Sequence, residues 1–255
     1  MKKFALIGKK LGHSYSQRWF EELFAREGLQ DHSYELVEMP SLEGLRDWVQ
    51  REGICGFNVT VPYKQEIIPF LDELDAPAAA IGAVNCVTVE EGRLVGHNTD
   101  APAFQLTINN LQITGNREAF ILGTGGAARA VAYALSELGI KHTFVSRHPE
   151  RHPDLEPKII DYFHFSLFTF HFSLLINATP VGMYPDIDAT PLDLSLRQPN
   201  SSFFIFHSSL VYDLIYNPSP TRLMREAAAL GVQTKDGLEM LHLQAELSWE
   251  FFRCR

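Results

Sequence analysis

At 255 residues the chain has room for one large domain or two ordinary ones, and 45% hydrophobic with 21% charged residues excludes the disordered and fibrous classes. A formal net charge of -9 and the lack of any basic tract argue against nucleic acid as main partner, but leave small anions open, since these respond to local fields. Three scattered cysteines, Cys55, Cys86 and Cys254, form neither a disulfide framework nor a zinc site and fit a reducing cytoplasm, so no metal is expected.

The amino-terminal apolar run is short and hemmed by lysines, unlike a signal peptide. Phe4 to Gly8 reads as a buried strand. Trp19, Phe20, Leu23 and Phe24 mark one helical face that stops near Gly28, and Ser33 to Val37 alternates as a strand. Leu42, Leu45, Trp48 and Val49 form a second helical stripe ending at Gly53. Phe57 to Val61 is β-branched and aromatic, and Pro62 stops it for want of an amide proton. Strands alternating with helices predict a parallel sheet. A hairpin is expected to turn at Glu91-Gly92, followed by a helix over 101–111.

A second α/β unit then begins with the strand "EAFILG", a helix "AARAVAYALSELG" and the strand "KHTFVSR". Later strands are expected near 174–177 and 211–214, and helices over 221–230 and 238–251. The run "FHFSLFTFHFSLLI" is too short and too polar to span a membrane. Its Phe163/Phe165 and Phe170/Phe172 alternation suits strands or an aromatic patch against the core. The overall expectation is an α/β protein of two domains with a cleft between them, divided near Asp100.

"GTGGAA" fits G-x-G-x-x-A between a strand and a helix, with Gly123 for the tight turn, Gly125 for close approach to a pyrophosphate, and Ala128 for helix packing. The next strand ends in Ser146-Arg147-His148, with Arg151 beyond. An acidic residue there would suit NAD; arginines suit the extra phosphate of NADP, or are solvated surface groups. In the first half, polar residues gather where strands and helices end. Lys64 follows the "GFNVTVP" strand, where α/β sheets bind ligands and where a plain first-turn lysine also fits. Ser14 with Gln17 fits a capping box, Asn85 suits bonding to a neighbouring backbone, and Asp100 suits an N-cap for the helix after it.

Read together, "HSYS", "GFNVTVPYK", "GAVNCV", "GHNTD", "GTGGAARA", "INATPVGM", "YDLIYNP" and "DGLEMLHLQAELSW" resemble, in order, the motifs of the shikimate dehydrogenase family from Phe4 to about Phe252. The resemblance implies a substrate-binding and catalytic domain over 1–100, completed by the helix at 237–255, and a Rossmann-like NADP-binding domain over 101–236. It implies Lys64 and Asp100 as the catalytic pair. Ser14 and Ser16 would take the substrate carboxylate, Thr60, Asn85, Asp100 and Gln244 the ring hydroxyls, and Tyr216 would also touch substrate. Gly123, Gly125, Gly126 and Ala127 would line the pyrophosphate, and Ser146, Arg147 and Arg151 the adenosine phosphate. Thr179, Ile215, Gly237 and Met240 would lie near the nicotinamide. The implied substrate pair is shikimate and 3-dehydroshikimate, with NADP as cofactor, no nucleic-acid or membrane partner, and a monomeric or homodimeric chain.

The sequence departs from the family pattern in places. Gln17 and Lys10 stand where the serine motif usually carries prolines, and Ser146 and His148 replace two members of the usual N-R-T phosphate motif. A quinate-tolerant relative and a non-catalytic cofactor sensor are the rival readings. The intact Lys64 and Asp100 weigh against the sensor.

Overall fold

The computed structural model describes residues 1–12, 15–109, 118–155, 158–167, 173–194 and 210–253. The chain divides into two units, Met1–Ala103 with His242–Arg255, and Phe104–Leu241.

In the first unit β1 (Lys2–Gly8), α1 (Tyr15–Glu27), β2 (His32–Glu38), α2 (Leu45–Glu52) and β3 (Ile54–Val59) alternate, and β1 pairs in parallel with both β2 and β3. α1 buries Phe20, Leu23 and Phe24, and α2 buries Leu45 and Val49; Leu42 is buried too but precedes its helix. The parallel pattern stops at β3. After α3 (Tyr63–Glu66), β4 (Glu73–Leu74) and α4 (Ala76–Ile81), the chain makes an antiparallel hairpin of β5 (Cys86–Glu90) and β6 (Arg93–His97), and β5 is also antiparallel to β3. Glu91 at φ 51° and Gly92 at φ 81° give the hairpin the left-handed turn that matches strand twist. The sheet order is β2-β1-β3-β5-β6-β4, so the expected parallel sheet is a mixed one. Ala5, Ile7, Phe57 and Val87 pack with α2 on one core face. Phe4, Leu6, Phe20 and Tyr34 pack with Trp249 and Phe252 of the last helix on the other.

α5 (Asp100–Asn109) runs from the first unit into the second. There follow β7 (Glu118–Leu122), α6 (Gly126–Glu137), β8 (Lys141–Ser146), β9 (Ile159–Asp161), α7 (Tyr162–Leu167), β10 (Leu174–Asn177), β11 (Leu210–Asp213), α8 (Arg222–Ala229), β12 (Gln233–Lys235) and α9 (Leu238–Arg253). The sheet order is β12-β11-β10-β7-β8-β9, and every strand pair in it is parallel. Numbered from its own first strand, this is the doubly wound order whose direction reverses between β7 and β10.

Phe163 and Phe165 are not in a strand. They lie on α7, where Phe165 is buried against Phe120 and Phe163 is 67% exposed, while Phe170 and Phe172 lie outside the described residues. Among the described residues no helix is long and apolar enough to cross a membrane, and no group of three His, Cys, Asp or Glu side chains is placed to hold a metal ion.

Candidate active site

In the first unit the expected site residues converge through the ends of strands. β3 finishes at Val59, Thr60 N–H donates to Ile7 O at 2.9 Å, and Tyr63 N–H donates back to Thr60 O at 2.9 Å. That tight reversal starts α3 and puts Lys64 beside the segment before β5, whose Val84 N–H donates to Lys64 O at 2.7 Å. Lys64 Nζ then meets Asp100 Oδ2 at 2.6 Å, with the side chains 17% and 7% exposed. A carboxylate this buried is costly unless paired and hydrogen-bonded. Here Asn85 Nδ2 occupies the other oxygen, Oδ1, at 3.0 Å.

Asp100 does not cap α5. Asn98 does so instead, its Oδ1 accepting from Ala101 N–H at 3.1 Å while its Nδ2 donates to Ala83 O at 2.9 Å. This exchange of roles frees both oxygens of Asp100 for Lys64 and Asn85. Asn85 serves its neighbouring backbone as well, since its Oδ1 accepts from Thr99 N–H at 2.7 Å and its Nδ2 also faces Thr99 Oγ1 at 2.9 Å and Gln244 Oε1 at 3.4 Å.

Beneath these lies a polar layer that the sequence did not single out. Asn58 Nδ2 donates to Asn85 O at 3.1 Å and to Ser248 Oγ at 2.8 Å, and its Oδ1 accepts from Tyr34 Oη at 2.9 Å. Ser248 Oγ donates to Gln244 O at 2.8 Å, so α9 is locked to the strand that supports Asn85. The signal for Asn58 was an amide inside an otherwise apolar strand; Ser248, alone on an apolar helix face, gave none. Ser16 lies in the first turn of α1 and Thr60 is half-buried after β3, whereas Ser14 lies outside the described residues.

In the second unit the glycine turn has the expected form. Gly123 has φ +107°, and a Cβ there would sit 3.0 Å from Thr179 Cγ2 and 3.2 Å from Ala178 O, so only glycine fits between β7 and the end of β10. Gly125 precedes α6, Gly126 and Ala127 are its first residues, and Ala128 is fully buried beneath it. A Cβ on Gly125 would project into open space. The first N–H groups of an α-helix have no partner within it, and the open space beside Gly125 leaves room for a phosphate at this helix start. Thr124 Oγ1 is 2.9 Å from His152 Nε2. Ser146 is buried at the end of β8 and accepts from His148 N–H at 3.1 Å. Arg147 and Arg151 are both exposed, and Arg151 Nε is 4.0 Å from the Glu150 carboxylate.

The ends of β10 and β11 are tied by a buried carboxylate. Asp213 accepts from Asn177 Nδ2 at 3.0 Å, Ile215 N–H at 3.1 Å and Thr221 Oγ1 at 2.7 Å. Burial raises its carboxyl above the ordinary value, against the pull of these donors. Asn177 Oδ1 in turn accepts from Thr179 N–H and Oγ1 at 3.0 and 2.7 Å. Gly237 N–H donates to Ile215 O at 3.1 Å, and a Cβ on Gly237 would lie 2.0 Å from Leu214 O. Ile215 and Met240 are buried, and Tyr216 is half-buried with its phenol pushed up by burial. Through Asn177 and Thr179 these anchors hold the loop after β10, which borders the point where strand order reverses, the usual ligand position in such sheets.

All-parallel pairing, strand order and the glycine turn define the second unit as a Rossmann-like nucleotide-binding fold, joined in one chain to a mixed α/β unit that carries the lysine–aspartate pair. Residues 6–87 match the model of the shikimate dehydrogenase substrate binding domain. The NADP(+) shikimate dehydrogenase of Caldicellulosiruptor saccharolyticus is 36% identical over 257 residues, covering 96% of this chain and 90% of that protein. The crystal structure of shikimate dehydrogenase 1 from Peptoclostridium difficile superposes with a TM-score of 0.84 at 34% identity, over 100% of this chain and 92% of the other. Shikimate 5-dehydrogenase from Thermus thermophilus, in complex with NADP(H) and shikimate, gives 0.81 at 35% identity, over 100% and 94%. The chain belongs to the shikimate dehydrogenase family.

Proposed function

We propose that this chain catalyses the reversible, NADP-dependent interconversion of shikimate and 3-dehydroshikimate, with residues 1–100 and 237–255 binding substrate and 101–236 binding NADP. The observation that carries the reading is the Lys64–Asp100 contact of 2.6 Å, completed by Asn85. NADP, when bound, supplies the hydride chemistry. Lys64 stabilises the negative charge growing on the carbonyl oxygen and gives it a proton; in the oxidative direction it takes that proton back. Asp100 orients the ammonium and keeps its charge partnered. Asn85, Thr60 and Gln244 bond the ring hydroxyls, Ser14 and Ser16 the carboxylate, and Tyr216 adds a substrate contact.

For the cofactor, Gly123, Gly125, Gly126 and Ala127 offer backbone donors to the pyrophosphate, Ser146, Arg147 and Arg151 take the adenosine phosphate, and Thr179, Ile215, Gly237 and Met240 flank the nicotinamide. The donor set fits: two exposed guanidiniums and no acid in the Ser146-Arg147-His148 stretch suit a phosphate better than ribose hydroxyls.

The test is an absorbance assay following reduction of NADP and NAD, each with shikimate and with quinate. Turnover confined to shikimate with NADP is expected. Efficient quinate oxidation, or equal use of NAD, would move the protein to the broader relative and return Arg147 and Arg151 to surface roles. Binding of NADPH without turnover of either acid would sink the catalytic reading.

A further inference from the structure

Tyr15 stands between the two serines in sequence and opens α1. Its hydroxyl meets His242 Nε2 at 2.5 Å, with the rings stacked at 5.2 Å between centroids and 27° between planes. His242 lies on α9, two positions before Gln244 and in the same unit as Tyr15. Either tautomer serves, because the hydroxyl donates to a bare Nε2 or accepts from an Nε2–H. The contact therefore joins the turn bearing Ser16 to the helix bearing Gln244.

We propose that Tyr15 and His242 form a positioning clamp, a cross-link between α1 and α9 that holds the first turn of α1, and Ser16 with it, ready for the substrate carboxylate. The inference rests on the proposed substrate roles of Ser16 and Gln244. Neither clamp residue needs to touch the reacting atoms. Without the clamp, fixing this first turn falls to the binding step, so affinity suffers while the Lys64–Asp100 chemistry continues.

The test is steady-state kinetics on the full-length enzyme with shikimate and NADP. Tyr15→Phe keeps the ring stack and removes the hydrogen bond. It is expected to raise KM for shikimate about fivefold, the effect of one hydrogen bond, with kcat and KM for NADP within about twofold of wild type. His242→Phe should give the same rise, and the double variant should be no worse than either single one, because both remove one contact. His242→Gln, whose amide can meet the phenol, should recover most of the affinity. An active wild type with unmoved shikimate KM in both single variants, additive losses in the double, or a fall in kcat alone would overturn the clamp and leave the functional reading intact. A wild type that binds NADPH but does not oxidise shikimate would overturn the functional reading first, and the clamp with it.

Discussion

Lys64 is the residue on which most depends. Its ammonium is largely withdrawn from water, and its only described acid partner, Asp100, already gives its second oxygen to Asn85. Lys64→Ala removes the proton donor and leaves Asp100 buried, with the Asn85 amide as its one side-chain partner among the described residues. Turnover should fall by about 10²–10⁴-fold, the usual worth of a positioned acid–base group. NADPH binding, followed by fluorescence titration, should persist, since the glycine turn belongs to the other unit. Near wild-type turnover would end the assignment. The residues of this network were legible to different degrees. Lys64, Asn85, Asp100 and Gln244 stood in motifs and come together in one hydrogen-bonded group. The alternative of Asp100 as a cap stayed open because Asn98, Thr99 and Asp100 are three adjacent polar residues, each able to serve as a cap, and local preference cannot choose among them. Asn58 and Ser248 stayed hidden because a single polar side chain on a buried face acquires meaning only from its partner, here 190 residues away in sequence.

At the scale of elements, Asp213 shows how strand ends are held. Its folded carboxyl is raised above the ordinary 3.8 chiefly by burial. The folded state therefore keeps a proton that the unfolded chain has already released, and stability contributed by that proton is present below the ordinary value and lost as pH rises through the raised one. Asp213→Asn cannot titrate. The difference in unfolding free energy between wild type and this variant should shift in the variant's favour as pH rises through that window, then level off; denaturant melts at a series of pH values would measure it. A pH-independent difference would mean that Asn177, Ile215 and Thr221 cancel the desolvation. The elements easiest to anticipate were those with long periodic stripes, such as α1, α2, α6 and α8. Those missed were short: β4 has two residues and β9 and β12 have three each, too few to express a period. Of the two readings offered for the Phe163/Phe165 pair, the strand fails, since both lie in a segment of six helical residues, while Phe165 does pack against the core. One buried and one exposed phenylalanine satisfy either pattern.

At the scale of the molecule, the chain's end belongs with its beginning. His242–Arg255 groups with Met1–Ala103, and the breaks fall inside α5 and α9. That return was implied only by family resemblance, because no local pattern says which unit an amphipathic terminal helix joins. The packing supplies the reason. Phe252 stacks on Phe4 at 4.9 Å and lies so close to β3 that a Cβ on Gly56 would be 2.7 Å from its ring. Trp249 packs edge-on against Phe4 at 5.9 Å, and Ala245 completes the same cluster. Phe252→Ala should cost about 3–5 kcal/mol, as large-to-small changes at buried aromatic sites do. Ending the chain after Leu241 removes all three side chains together with Gln244 and Ser248. The first unit should then lose its cooperative melt in calorimetry and turnover should vanish, while NADPH binding by Phe104–Leu241 survives. A truncated chain that still oxidised shikimate would show that the first unit closes its core, and completes its site, without the returning helix.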